Sequence, residues 1–177
     1  MEKNLHSEDA LKKLKELVES IYICMYCSME HGSDMASRPM GTAKIEDDGT
    51  IWFFTTDHSG AAEIAQEHSE VCLNYAHITK NTYLCVMGDS ELVFDKAKMK
   101  ELWSDFLTTW FPQGVNTPDI ALIKVTPRSA HYWESDAARL RILFSYIKAK
   151  VTGKKPDGDD AEEGELHLDG GAGSSGG

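Results

Sequence analysis

The sequence contains no apolar run that approaches the ~20 residues a helix needs to cross a bilayer. Its N-terminus, MEKNLHSEDALKKLKEL, is charged throughout and lacks the apolar core of a secretory signal. We therefore expect no membrane partner and a cytoplasmic location.

Positive charge is also scarce. The chain has 18 Lys and Arg residues against 29 Asp and Glu residues, which gives a formal net charge of -11. A chain this acidic is repelled by a phosphate backbone and by an anionic lipid surface. We expect no nucleic-acid partner.

Only four cysteines occur, Cys24, Cys27, Cys72 and Cys85, and they lie in apolar stretches rather than at turns. This placement favours reduced, buried thiols over a disulfide framework. Cys24 and Cys27 match the C-x-x-C pattern of zinc and thiol-exchange sites. They fall in a predicted strand, however, where residues three apart point to opposite faces. We interpret the pair as structural.

The usual catalytic and metal-binding spacings are missing. The sequence has no G-x-S-x-G nucleophile motif, and its seven histidines show neither H-x-x-x-H nor H-E-x-x-H spacing. His58 stands between Asp57 and Ser59, but adjacent residues rarely face one another, so a capped helix start is favoured over a hydrolase site. We predict no metal site.

The chain divides into two regions. From Gly153 onward it reads GKKPDGDDAEEGELHLDGGAGSSGG, which is acidic, rich in glycine and nearly free of large apolar residues. Such a segment cannot offset its ordering entropy. We predict one folded domain over residues 1–152 and a disordered tail over 153–177.

Apolar periodicity predicts a mainly β fold with flanking helices. Because most strands are joined by turns too short for a parallel crossover, we expect an antiparallel, closed or split barrel of six to eight strands, with N-terminal, middle and C-terminal helices. The predicted helices cover 8–20, 59–68, 99–110 and 137–151. The predicted strands cover 21–28, 37–46, 50–56, 70–77, 81–88, 90–95, 119–127 and 128–134.

The hairpin over residues 37–56 and the helix start after it carry the most chemistry. We expect one face of its first strand to hold Arg38, Met40, Thr42 and Lys44, and the second strand to place Trp52, Phe54 and Thr56 opposite Phe53 and Thr55. A guanidinium, hydroxyls and the helix N-terminus at Ser59 then converge at one end of the hairpin. These groups suit a phosphate.

Two tryptophans of the predicted middle helix differ in their surroundings. Trp103 belongs to an apolar stripe and is expected in the core. Trp110 stands at the helix end in the sequence WFP, where its indole can reach a ligand or a neighbouring subunit.

Over residues 8 to 134 the chain resembles the flavin-binding split barrels similar to pyridoxamine 5'-phosphate oxidase, and among them the general-stress-protein branch. The resemblance is carried by the order and spacing of Arg38-Pro39-Met40, Trp52 to Thr56, Ser59, Tyr83 to Gly88, the helix from Asp95 to Trp103, Trp110 to Gly114, Pro118 and Tyr132-Trp133. It implies a homodimeric split barrel that binds FMN at the subunit interface.

The resemblance also implies roles for seven residues. Arg38, Thr55 and Ser59 would lie near the flavin phosphate. Pro39, Met40 and Phe54 would lie along the isoalloxazine ring, and Trp110 would reach it from the partner chain.

Two departures from the family pattern bear on function. Relatives commonly follow the serine with basic residues, whereas this chain has Gly60 and Ala61, so we expect FMN to bind about ten- to a hundredfold more weakly than with a basic residue there. The C-terminal Arg- and His-bearing segment of the oxidase is also not reproduced by Arg139 and Arg141. We therefore do not expect pyridoxamine 5'-phosphate oxidase activity.

Three functions stay open from the sequence. The first is an FMN-dependent oxidoreductase that acts on a small substrate. The second is a non-catalytic dimeric binding or stress module that has lost strong binding of the FMN phosphate. The third is a barrel that binds a different ligand, such as haem or a deazaflavin. This alternative is open because one fold can carry different functions.

Overall fold

The computed structural model describes residues 5–6, 8–29, 34–67, 70–134 and 162–167. In these ranges the chain has three α-helices, α1 (Glu8–Ile21), α2 (Gly60–Glu67) and α3 (Lys96–Leu102). It has eight strands: β1 (Leu5–His6), β2 (Ile23–Met29), β3 (Met35–Ile45), β4 (Ile51–Thr56), β5 (Glu70–His77), β6 (Thr82–Val93), β7 (Ile120–Glu134) and β8 (Glu162–His167).

Six of the described strands close into a barrel in the order β7, β4, β3, β2, β5 and β6, with β6 pairing back to β7. Every pairing within this barrel is antiparallel. The predicted fold class, a mainly antiparallel β-barrel with flanking helices, is confirmed. The helices predicted over 8–20 and 59–68 correspond to α1 and α2.

Two predicted turns do not exist, and the strands on either side of each are continuous. The segments 81–88 and 90–95 form the single strand β6, and 119–127 and 128–134 form the single strand β7. Gly88 marks a bulge rather than a turn, since the register shifts between Met87 and Gly88. A Cβ at Gly88 would lie 2.5 Å from the carbonyl oxygen of Thr126, so the bulge requires glycine there.

The predicted helix over 99–110 is also wrong in its extent. Asp95 caps α3 by accepting hydrogen bonds from the N–H groups of Ala97 and Lys98, and the helix ends at Leu102. Trp103 is extended, with φ of -63° and ψ of 136°, and a separate 3-10 helix follows over Asp105–Thr109. The helical spacing of apolar residues continues across the break at Trp103, so the sequence pattern predicts a single helix.

Two apolar clusters pack on opposite faces of β4. The barrel interior holds Phe53 together with Tyr26 and residues of α1. Trp52 and Phe54 belong to the second cluster, with side chains of α3 and Phe111. The predicted separation of these faces is confirmed, and the phenylalanines and the tryptophan are all buried.

The prediction that Lys44 lies on the same face of β3 as Arg38, Met40 and Thr42 was wrong. The register shifts between Thr42 and Lys44, so Ala43 forms a bulge. Thr42 is buried and donates or accepts a hydrogen bond with the hydroxyl of Tyr75 at 2.9 Å, whereas Lys44 is exposed. Lys44 therefore does not share the face of Arg38 and Met40.

Strand β8 lies inside the segment predicted as a tail. It pairs with β7 from Ser129 to Glu134 and with β1. For these six residues the structure differs from the expectation, because the edge of β7 beyond Pro127 offers backbone partners that composition does not reveal. The rest of 153–177 and the helix predicted over 137–151 lie outside the described residues. In the described part of the chain, none of the helices has the length and apolarity to cross a membrane.

Candidate functional site

A cavity of about 410 Å³ opens beside the hairpin, between the start of α2 and the 3-10 helix Asp105–Thr109. All seven residues predicted near a cofactor line this one cavity: Arg38, Pro39, Met40, Phe54, Thr55, Ser59 and Trp110. Trp110 lines the cavity of its own chain, whereas the resemblance places it at the flavin of the partner chain. Its volume lies within the range of about 300 to 1,000 Å³ typical of small-molecule sites. Tertiary folding thus brings together residues that lie as many as 72 positions apart in the sequence.

The polar end of the cavity is built around the start of α2. Ser59 is the N-cap, because its Oγ accepts a hydrogen bond from the N–H of Ala62 at 3.0 Å. The same Oγ lies 2.6 Å from the Oγ1 of Thr55 at the end of β4. The hydroxyls of Thr55 and Ser59 are therefore both fixed at the N-terminus of α2, which is the positive end of the helix dipole.

Arg38 brings a positive charge to the same place. Its Nη1 lies 2.8 Å from the point that a Cβ would occupy at Gly60, so the guanidinium lies directly against the first residue of α2. Across the β2–β3 pairing the Cα partner of Arg38 is Tyr26. Burial raises the pKa of Tyr26 to about 12, so this phenol stays protonated and does not neutralise the arginine.

Gly60 and Ala61, the two positions at which the resemblance leads us to expect basic residues, carry no charge here. Gly60 lies beneath Arg38. Ala61 is only 2% exposed, belongs to the barrel core and also lines the cavity. Among the described residues that line the cavity, Arg38 is the one with a charged side chain.

The other end of the cavity is aromatic. Phe106 contacts Tyr22 and Trp110 edge to face, with ring centroids 6.1 and 4.9 Å apart. Phe54 contacts Phe111 at 6.2 Å deeper inside. Trp110 and Phe106 remain 60% and 55% exposed, so apolar rings form the mouth of the cavity.

Sequence reasoning missed six lining residues: Tyr22, Ile23, Gly41, Phe106, Leu107 and Phe111. Tyr22 follows α1 in the left-handed region, at φ 70°, and its N–H bonds the carbonyl of Val18. A Cβ at Gly41 would lie 3.3 Å from the ring of Tyr22. An isolated glycine inside a predicted strand signals such close approach, so Gly41 could have been found.

The Asp57-His58-Ser59 triplet has a structural explanation. Ser59 is occupied as the cap of α2, while the Nδ1 of His58 lies 3.2 Å from Asp57 and 3.3 Å from Asp119. These three titratable groups lie within 4.8 Å of one another on the exposed side of the chain, outside the cavity lining. They form a surface ion-pair cluster when the imidazole is protonated.

All four cysteines are free thiols, as predicted, but only Cys24 is buried. Burial raises the pKa of Cys24 to about 12. Cys24 points into the barrel and Cys27 points outward, which confirms the interpretation of C-x-x-C as opposite faces of one strand. Cys27, Cys72 and Cys85 are half-buried, so the prediction that they are buried was wrong.

Comparison with known proteins agrees with this architecture. The family model described as "Pyridoxamine 5'-phosphate oxidase like" matches residues 9–157. None of the curated proteins matches the chain.

Solved structures show the same fold. A protein related to general stress protein 26, from Clostridium acetobutylicum, is 24% identical, with a TM-score of 0.63 over 72% of this chain and 90% of that chain. The general stress FMN/FAD binding protein of Xanthomonas citri is 23% identical, with a TM-score of 0.63 over 72% of this chain and 89% of that chain. General stress protein 26 of Bacillus anthracis is 17% identical, with a TM-score of 0.61 over 69% of this chain and 92% of that chain.

The family match covers most of the sequence, and the barrel agrees with the fold of these structures. This chain belongs to the pyridoxamine 5'-phosphate oxidase-like family.

Proposed function

We propose that this protein binds FMN in the cavity beside α2 and serves as a flavin-dependent oxidoreductase of the general-stress type, acting on a small substrate. The observation that carries the proposal is the convergence of Arg38, Thr55 and Ser59 on the start of α2, at one end of a cavity whose other end is aromatic. The Xanthomonas citri relative, whose fold is the same, is an FMN/FAD binding protein.

The polar end fits the phosphate of FMN. The N–H of Ala62 is bonded to Ser59, so the N–H groups of Gly60 and Ala61 are the helix donors that face a bound anion. Arg38 supplies a charge-assisted hydrogen bond. One of the hydroxyls of Thr55 and Ser59 donates to the other, so the pair leaves one hydroxyl hydrogen for the phosphate.

The aromatic end fits the ring system. Pro39, Met40 and Phe54 form an apolar wall of the cavity, and Trp110 stands at its mouth. These side chains would orient the ring and exclude water from it. FMN would supply the redox chemistry when bound.

We also propose a homodimer in which a second copy covers the mouth of the cavity. Ile23, Phe106 and Trp110 line the cavity and are 54% to 60% exposed. Met25, Met29 and Met35 extend this exposed apolar surface along β2 and β3. Large apolar side chains grouped in this way mark an interaction surface.

Titration of the protein with FMN and with riboflavin, followed by flavin fluorescence, tests the site. We expect Arg38→Gln to weaken FMN binding by about ten- to a hundredfold, the value of one charged hydrogen bond, and to leave riboflavin binding nearly unchanged. Equal weakening of both ligands, or no weakening, would contradict the placement of the phosphate.

A non-catalytic binding module is the second candidate, and the buried Ala61 favours it because the phosphate end then relies on one cation. The two candidates differ in turnover. An oxidoreductase accelerates oxidation of NADH or NADPH beyond the rate of free FMN at equal concentration. A module that binds FMN and shows no such acceleration would fit the second candidate.

A further inference from the structure

Tyr22 joins α1 to β2 in a backbone conformation that tyrosine rarely adopts. Its φ of 70° lies in the left-handed region, at the position after a helix where glycine or asparagine is usual. Two hydrogen bonds of 2.9 Å hold it there: its N–H donates to the carbonyl of Val18, and its own carbonyl accepts from the N–H of Thr42. A strained residue that its surroundings fix in this way is a candidate for a functional role.

The ring of Tyr22 occupies the space that Gly41 leaves open. Its hydroxyl oxygen and its Cε1 each lie 3.3 Å from the point that a Cβ would take at Gly41. The ring also contacts Phe106 edge to face. All three residues line the cavity beside α2. The phenol is therefore fixed against β3, one residue beyond Met40 in the wall proposed for the flavin ring.

The hydroxyl of Tyr22 is available to a ligand. Within the described ranges of the chain it makes no hydrogen bond, and burial alone raises its pKa. The hydroxyl of Tyr75, by contrast, is bonded to Thr42 at 2.9 Å. Because the phenol of Tyr22 stays protonated at neutral pH, it can donate a hydrogen bond inside the cavity.

Side-chain donors are scarce at the aromatic end of the cavity. Among the described residues that line this end, Tyr22 and Trp110 are the two whose side chains donate hydrogen bonds. Trp110 is 60% exposed at the mouth, whereas Tyr22 is 37% exposed and is fixed against β3. An isoalloxazine ring has carbonyl oxygens and ring nitrogens that lose water when the ring enters an apolar cavity, and an unpaired buried acceptor costs affinity.

We propose that the hydroxyl of Tyr22 donates a hydrogen bond to a carbonyl oxygen or a ring nitrogen at the edge of the flavin ring. This inference rests on the proposed function, because it requires that the cavity beside α2 holds a flavin. Tyr22 binds the ring in the same way that Arg38 binds the phosphate. A donor at the ring edge favours the electron-rich reduced ring, so Tyr22 also raises the reduction potential of the bound flavin.

Titration of the full chain and of its Tyr22→Phe variant with FMN and with riboflavin tests this contact. We expect the variant to bind both ligands about three- to tenfold more weakly, because both have the ring and one neutral hydrogen bond is lost. The visible absorption band of bound FMN should shift and its reduction potential should fall, which a purely structural role of Tyr22 would not cause.

The outcomes distinguish this inference from the proposed function. If Tyr22→Phe leaves the affinities, the absorption band and the potential unchanged, the inference is overturned and flavin binding stands. A loss for FMN alone would place Tyr22 at the phosphate and would also overturn the inference. If the unsubstituted chain binds neither flavin, the proposed function is overturned as well.

Further variants make the test specific. Tyr83→Phe is the matched control, because Tyr83 is 42% exposed and lies outside the cavity lining, so both affinities should stay unchanged. Gly41→Ala should displace the phenol and weaken both flavins, and this loss should be smaller in the Tyr22→Phe background. A band shift that Trp110→Phe causes and Tyr22→Phe does not would assign the donor to Trp110 and contradict the inference. Ligand-free Tyr22→Phe should melt at the temperature of the unsubstituted chain, and a lower temperature would show a structural role instead.

Discussion

The guanidinium of Arg38 occupies space that any other residue at position 60 would take. Its Nη1 lies 2.8 Å from the position of a Cβ on Gly60, closer than such atoms approach in folded proteins. Gly60 is therefore the residue that lets an arginine from β3 lie over the start of α2. This contact joins the hairpin to the helix at the proposed phosphate site.

The first prediction follows from this contact. Gly60→Ala should displace the guanidinium and weaken FMN binding by about tenfold, with little change for riboflavin, because only FMN has the phosphate. Fluorescence titration of both flavins measures it. The same substitution in an Arg38→Gln background should have no further effect, since the group it displaces is already gone. An additive loss would show that Gly60 acts without Arg38.

The second prediction adds a cation. Ala61→Lys should strengthen FMN binding by about tenfold, because a charge-assisted contact worth about 1.5 to 3 kcal/mol exceeds the few tenths by which the helix dipole opposes a lysine there. The gain should shrink at high salt. Ala61 is 2% exposed, so we also expect the ligand-free variant to melt at a lower temperature and FMN to restore part of the loss. Equal gains for FMN and riboflavin would contradict this account.

The third prediction concerns the cap of α2. Ser59→Ala removes the hydrogen bond to Ala62 and the contact with Thr55, so the free energy of unfolding should fall by about 0.5 to 2 kcal/mol. Urea denaturation without flavin measures this. Ser104→Ala is the matched control, because Ser104 precedes the 3-10 helix Asp105–Thr109 without a capping hydrogen bond from its side chain. A loss at Ser104 as large as that at Ser59 would contradict the capping role.

The fourth prediction tests the proposed homodimer. Light scattering of the full chain should give twice the mass of 19.7 kDa. Trp110→Ala should shift the protein toward monomer and weaken binding of both flavins, because Trp110 stands at the mouth that the second copy covers. Phe94→Ala is the control, since Phe94 is equally exposed, at 60%, but does not line the cavity. A dimer that Phe94→Ala weakens as much as Trp110→Ala would place the interface elsewhere.

The fold class was predictable because it rests on local signals, whereas the set of residues expected near a flavin came from the resemblance to the family. The two periods of apolar spacing distinguish α1 from the strands, and the alternation along β4 separates Phe53 from Trp52 and Phe54. Ser59, a residue type that commonly caps helices, predicted the start of α2. The predicted hairpin turn placed Arg38 on the strand that neighbours the strand of Thr55.

Other features depended on contacts between distant segments. Gly88 and Pro127 resemble turn residues in the sequence, yet they meet at a bulge between two continuous strands. The break after Leu102 leaves the apolar spacing intact, so no local signal separates α3 from the 3-10 helix that holds Phe106.

The sequence by itself determined the antiparallel barrel, its apolar interior and the chemistry of the hairpin, because each follows from residue types at short spacing. Only the tertiary structure decided that Arg38 lies over Gly60, that Ala61 is buried, and that Cys72 meets Cys85. These relations depend on strand register and on the docking of α2. Register is set by the sum of many weak contacts across the barrel, and no single segment of the sequence contains it.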